Sequence, residues 1–285
     1  MEWISDSNIL IVGLGLIGGS YAKGLKRLGY NITAIDSDPY AIEYALKNNI
    51  IDDGYTTPDE YVIGRADAII IALYPEVFKK WIADNQYFLK SGAIITDVTG
   101  VKSGIVYDIQ NDLRDDVEFI SAHPMAGKEN RGVQNSDDRI FRDANFIVVP
   151  TNKNSHKAIH WCESLAKILG FGKISVLTPS EHDKMIGFVS QLTHCIAISL
   201  MTCSDNKHLA DYTGDSFRDL TRIAKINETM WSELFLLNKD FLTEEMDKFI
   251  EEFDSIKQMI KNDDVEGLKE KMRLSTERRS YFDID

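Results

Sequence analysis

Apolar residues in the first half of the chain come in short, nearly continuous runs at 8–12, 31–35, 68–73, 93–98, 118–122, 144–149 and 173–177. Between them, amphipathic patterns of helical period occupy 16–28, 40–47, 76–88, 102–113 and 155–169. Short apolar runs read as strands buried on both faces, and their alternation with helices predicts a doubly wound, mostly parallel α/β sheet. After Pro179 the strands stop, and helical patterns follow at 185–202, 216–225, 228–237, 238–261 and 265–279. The pattern predicts a Rossmann-like domain over 1–178 and an all-α domain over 179–285.

Two of the later helices carry more information. In the stretch from Met185 to Met201, Ser190, Gln191, Thr193 and His194 interrupt the apolar residues. This predicts a buried helix and no membrane span. In 238–261, Leu242, Met246, Phe249, Phe253, Ile256 and Ile260 recur at alternating steps of four and three, a heptad seam that packs on another helix. The partner is either the same domain or a second subunit. No repeat, low-complexity tract or further ligand-sensing domain is recognisable.

Composition narrows the partners. The chain has 285 residues, enough for two domains, and its 32 basic against 45 acidic residues give a net charge of −13. Such a surface repels nucleic acid and anionic membranes. An anionic substrate therefore requires cations gathered locally. Three cysteines without a CxxC spacing point to buried thiols in a reducing compartment, with no metal site. Residues 1–6 lack the basic and apolar regions of a signal peptide, so a cytoplasmic location is expected.

The first candidate chemistry follows the first strand. Gly13-Leu14-Gly15-Leu16-Ile17-Gly18 matches GxGxxG between a strand and a helix. Gly13 allows the tight turn, Gly15 the approach of a pyrophosphate, and Gly18 close helix–strand packing, with Leu16 and Ile17 opening the helix whose amides face the phosphates. Asp36, at the end of the second strand, is placed to accept hydrogen bonds from ribose hydroxyls and to repel a 2′-phosphate, which favours NAD over NADP. Leu73 and Pro75, where the 68–73 strand ends, complete the expected cofactor contacts.

Three further clusters lie beyond the glycine loop. His123 follows a strand in Ser121-Ala122-His123-Pro124-Met125-Ala126-Gly127 and is a candidate proton acceptor beside a hydride-transfer centre. Thr99 and Gly100, in Asp97-Val98-Thr99-Gly100-Val101-Lys102, are expected on the nicotinamide side. Ser190, Gln191 and His194 share one helix face, and Arg218 and Arg222 stand one turn apart, a spacing that can clamp a carboxylate. A loop histidine, a plain strand-to-helix turn and an ordinary helix-surface salt bridge are the alternatives that position alone leaves open.

Taken together, GLGLIGGS at 13–20, DVTGVK at 97–102, HPMAGKE at 123–129, SQLTH at 190–194, FRDLTRIA at 217–224 and the following Trp231 resemble the prephenate dehydrogenase family over nearly the whole chain. The resemblance implies NAD-dependent oxidative decarboxylation of prephenate to 4-hydroxyphenylpyruvate, in a homodimer joined through the helical domain; the alternatives are arogenate dehydrogenase and, after it, another NAD-dependent hydroxyacid dehydrogenase on the same architecture. By position it implies that His123 takes the C4 hydroxyl proton, that Gln191, His194, Arg222 and Lys128 hold the anionic substrate, that Glu129 and Asp219 pair with arginines of the site, and that Arg218 guards its mouth. Two departures stand out. Gly100 replaces a serine found in many relatives, leaving Thr99 as the nearest hydroxyl, and Gln191 replaces a histidine.

Overall fold

The computed structural model describes residues 7–128 and 130–283. The expectations for residues 1–6 and for Glu129 lie outside them. The chain divides into two compact units, Met1–Asn238 and Lys239–Asp285.

In the first unit, β1 (Asn8–Val12), α1 (Leu16–Arg27), β2 (Asn31–Ile35), α2 (Pro39–Lys47), β3 (Asp53–Tyr55), α3 (Glu60–Gly64), β4 (Ala68–Ile71), α4 (Pro75–Asn85), β5 (Ile94–Asp97), α5 (Ser103–Asp112) and β6 (Glu118–Phe119) form one layered body. The six strands lie in the order β3-β2-β1-β4-β5-β6, every pair parallel. That is the doubly wound dinucleotide-binding order, with the reversal of winding between β1 and β4. The period-two alternation of β1 divides the core. Ile9 and Ile11 pack with Tyr21 and Leu25 of α1 on one face, and Leu10 and Val12 with Phe78 and Ile82 of α4 and Ile105 and Ile109 of α5 on the other. The sequence pattern gives no sign of β3, because Asp53-Gly54-Tyr55 is a three-residue edge strand without an apolar run.

The 118–122 run is not one strand. It divides at Ile120, and β7 (Ser121–Met125) leaves the parallel sheet for a second one, β7-β8-β9, with β8 (Asn145–Val149), α6 (His156–Leu169) and β9 (Lys173–Val176). There β7 and β8 are antiparallel, so 144–149 and 173–177 do not extend the main sheet as the alternation suggested. The cause is a side chain. Asp97, at the end of β5, accepts the Ser121 hydroxyl at 2.6 Å and the Ala122 N–H at 3.1 Å through Oδ1, where a ladder would have continued.

The helical part of this unit comprises α7 (Pro179–Ile186), a π-helical segment Gly187–Leu192, α8 (Thr193–Thr202), α9 (Leu209–Tyr212), α10 (Asp215–Thr221), a 3₁₀ turn Arg222–Ala224 and α11 (Glu228–Leu237). The rod 179–202 begins six residues before its apolar pattern because Thr178 and Glu181 form a capping box with Pro179 in the first turn. It is long and apolar enough by length and composition to cross a membrane, yet only 28% of its apolar window is buried. Met185, Phe188, Val189 and Met201 are exposed. The expected fully buried helix is therefore corrected: one side of the rod packs inward and the other carries an apolar surface. Of the thiols expected to be buried, Cys162 is, and burial pushes its pKa up to about 12; Cys203 is exposed.

The second unit is a helical hairpin of α12 (Lys239–Lys261) and α13 (Val265–Arg279), pinned by Lys271 on Glu252 at 2.6 Å. Along the seam Leu242 is buried, whereas Phe253 and Ile260 are 65% and 62% exposed.

Candidate active site

The carboxyl ends of the parallel strands gather the expected cofactor residues along one edge. Gly13 follows β1 with φ +95°, a conformation open to glycine. A Cβ on Gly18 would stand 1.9 Å from the Gly13 carbonyl oxygen, so only hydrogen fits where α1 passes the turn. Gly15, which caps α1, meets nothing within 4 Å of its Cβ position, leaving open space before the helix amides. The first turn of α1, with Leu16 and Ile17, carries no acidic side chain that would repel phosphate. Asp36 follows β2 and accepts the Leu14 N–H at 2.5 Å and the Asp38 N–H at 2.8 Å, one per oxygen. A carboxylate has further lone pairs to offer ribose hydroxyls. Leu73 follows β4, its Cδ2 3.1 Å from a Cβ placed on Gly13, and Pro75 opens α4. The residues present fit a dinucleotide.

After β5 the side chains of Asp97, Thr99 and Lys102 are closed off from solvent. Lys102 donates to Asp97 at 2.8 Å, to the Ala122 carbonyl at 2.6 Å and to the Thr99 hydroxyl at 3.3 Å, three acceptors for the three protons of an ammonium. Burial pulls the Lys102 pKa down, and Asp97 opposes it. The Thr99 hydroxyl donates to Asp97 and also lies 3.1 Å from the Val101 carbonyl. It is committed to partners inside this knot. Gly100 does face the site: a Cβ there would lie 3.9 Å from His123 Cε1 and 3.5 Å from Leu234 of α11.

His123 sits on β7, half-buried, and its Nδ1 is 2.9 Å from His182 Nε2 on α7. His182 Nδ1 in turn lies 2.8 Å from Asp183 Oδ1. Asp183 also accepts the backbone N–H of Lys102 at 2.8 Å and of Ser103 at 2.7 Å, which fixes the start of α5. The His123 pKa lies well below the usual imidazole value, through burial first and then the neighbouring His182 and Lys102. Burial likewise lowers His182. In Asp183 the burial penalty is overcome by the hydrogen bonds from His182 and from the start of α5, and its pKa is lowered. The site thus holds two neutral imidazoles backed by a carboxylate.

The helical wall meets this centre through α11. Leu234 faces Gly100, and one turn earlier Trp231 stacks on His194 of α8, ring centroids 3.7 Å apart. His194 Nδ1 donates to the Ser190 carbonyl at 2.9 Å. The π segment bears on this placement. His182 and His194 are twelve residues apart, about 120° out of phase in an uninterrupted α-helix; one surplus residue in a π turn reduces that to about 20°. Both histidines therefore point from the same side of the rod.

The remaining expected residues fall in different places. Gln191 is 1% exposed, and its amide is committed internally: Nε2 donates to the Leu234 carbonyl at 3.0 Å and Oε1 accepts from Asn238 at 2.7 Å. It is a strut between α11 and the rod. Arg222 opens the 3₁₀ turn that packs on α8, near the helix bearing His194. Arg218 and Asp219 are exposed on α10, and Arg218 pairs with Asp215 at 3.6 Å. Lys128 lies 3.5 Å from Asp137, which Arg139 also holds. In the sequence, His182 and Asp183 carry no signal beyond a His-Asp pair one turn into a capped helix.

A Rossmann sheet with a glycine cradle and an acidic ribose acceptor, and a neutral histidine on the adjoining β7 beside Gly100, define an NAD-dependent dehydrogenase. Residues 21–175 match the family described as prephenate dehydrogenase, nucleotide-binding domain, and residues 178–274 match its dimerization domain. The chain is 31% identical to the prephenate dehydrogenase of Bacillus subtilis over 94% of its own length and 74% of that protein. It is 34% identical to that of Lactococcus lactis over 92% of its own length and 73% of that protein. Among solved structures it is similar to Aquifex aeolicus prephenate dehydrogenase in complex with hydroxyphenyl propionate and NAD⁺, at a TM-score of 0.89 and 30% identity, covering 99% of this chain and all of that one. The chain belongs to the prephenate dehydrogenase family.

Proposed function

We propose that the protein oxidatively decarboxylates prephenate to 4-hydroxyphenylpyruvate, with His123 as the base. The observation that carries this reading is the setting of His123: a neutral imidazole beside Gly100, where the strand ends face the cofactor crevice, with the wall bearing Trp231 and His194 across from it. NAD⁺, held by Gly13, Gly15, Leu16, Ile17, Gly18, Asp36, Leu73 and Pro75, supplies the hydride acceptor. His123 takes the proton of the substrate C4 hydroxyl as the C4–H bond breaks. The ring carboxylate leaves as CO₂, its bonding electrons make the ring aromatic, and the C4 oxygen regains the proton as the product's hydroxyl, so the protein need only align the substrate and take up and return one proton. Lys128, Arg222 and Arg218 are the cations that compensate the dianion in a chain of net charge −13, with His194 as a further substrate contact. Glu129 and Asp219 belong to the same reading as partners of these cations, and Gln191 supports the wall without touching substrate.

The reading includes a cytoplasmic homodimer and a division of the chain at residue 178, between the two family matches at 175 and 178. The dimer is formed through the exposed apolar faces of the rod and of α12. The test mixes protein, NAD⁺ and prephenate and follows NADH absorbance together with released CO₂, with arogenate in a parallel cell. Equal amounts of NADH and CO₂ from prephenate are expected. NADH without CO₂ would assign the chain to another hydroxyacid oxidation, and faster turnover of arogenate would make that the substrate.

A further inference from the structure

We infer that His182 and Asp183 are positioning residues that fix which nitrogen of His123 acts as the base. The inference rests on the proposed role of His123 and follows from counting donors and acceptors. Asp183, its pKa lowered, is a carboxylate and can only accept. Its contact with His182 Nδ1 at 2.8 Å therefore requires the proton on that nitrogen. His182 is neutral, so its Nε2 carries a lone pair. At 2.9 Å from it, His123 Nδ1 must be the donor. Neutral His123 is then left with its lone pair on Nε2, and that nitrogen takes the substrate proton. When it does, Nδ1–H still points at His182, and the positive charge faces a neutral imidazole backed by the Asp183 carboxylate. No proton travels along the chain of three groups.

The surroundings hold this arrangement from each packed element. Asp183 is clamped by the backbone N–H groups of Lys102 and Ser103, and its carbonyl accepts from Asn238 at 2.9 Å. On the strand side the titratable groups near His123 are Lys102 and its partner Asp97; on the rod they are the neutral His182 and, behind it, the Asp183 carboxylate. A reversed His182, with its proton on Nε2, would set lone pair against lone pair at Asp183. It would also drive the His123 proton onto Nε2, where the base must be empty. Loss of the correct tautomer is costly in other histidine-dependent enzymes, where an Asp-to-Asn change behind the histidine lowers kcat by about 10⁴ with the geometry intact.

Two measurements test the assignment. In protein labelled with ¹⁵N-histidine, long-range ¹⁵N–¹H spectra near pH 7.5 are expected to show both His123 and His182 protonated on Nδ1, the minor form of histidine in water. The peaks are assigned by their loss in His123→Asn and His182→Gln. In kinetics with NAD⁺ and prephenate, His182→Leu removes the acceptor and should lower kcat by about ten- to a hundredfold, with both KM values within about twofold. His182→Gln, whose carbonyl can still accept from Nδ1–H, should restore most of that loss. His123 protonated on Nε2 in the wild type would overturn the inference without any variant. So would wild-type kcat in His182→Leu while His123→Asn is slow. Wild-type kcat in His123→Asn would instead remove the base on which the inference depends.

Discussion

His123 is neutral because burial, His182 and Lys102 all disfavour its charged form. A base works in its unprotonated state, so a lowered pKa shifts the acid limb of the rate profile downward. Plotted against pH, kcat should stay level from 8 to about 6.5 and fall only below that value. His123→Asn should lower the plateau by roughly 10²–10⁴-fold with little change in KM. The same groups act on stability. The folded chain binds protons at His123 and His182 less readily than the unfolded chain, so their contribution is present above about pH 6.5 and is lost as pH falls below it. Melting temperatures at pH 7.5 and 5.5 check the sign. His123 could be picked out from sequence because it follows an apolar run, where strand ends face a crevice. Its support could not, because His182 is distant in sequence and nothing local distinguishes it from a surface residue of α7. The internal partners of Thr99 and Gln191 were hidden for a related reason: a polar side chain near a site looks alike in sequence whether it meets substrate or closes an internal network.

Between β1 and α1 the fit is set by backbone rather than side chain. Gly18→Ala would drive a methyl group into the Gly13 carbonyl, forcing α1 away from the turn whose amides face the pyrophosphate. The KM for NAD⁺ should rise by at least about tenfold, and urea titration should show lost stability of order 1–3 kcal/mol from overpacking. Elements of this kind were the most legible, since β1, β2, α11 and α13 begin and end where their apolar periods do. Legibility failed where a single side chain redirected the chain. Asp97 splits the 118–122 run into strands of two sheets, and no hydrophobic pattern records that a carboxylate has taken the place of a ladder. It failed again at the rod, where the Thr178–Glu181 cap starts a helix before its apolar residues do.

For the protein as a whole, apolar surface left uncovered is the main clue to assembly. Phe253 and Ile260 on α12, and Met185, Phe188 and Val189 on the rod, are exposed large hydrophobic side chains, the kind that an interaction surface covers. Phe253→Glu combined with Ile260→Glu should convert the dimer to monomer in size-exclusion chromatography with light scattering; a dimer that survives both would move the interface elsewhere. The heptad seam was visible in sequence, but periodicity does not say whether the covering helix belongs to the same chain. Between His182 and His194 the length of the chain matters as much as its composition: losing one position would swing everything beyond it through more than a quarter of a circle and part His182, behind the proposed base, from the wall bearing His194.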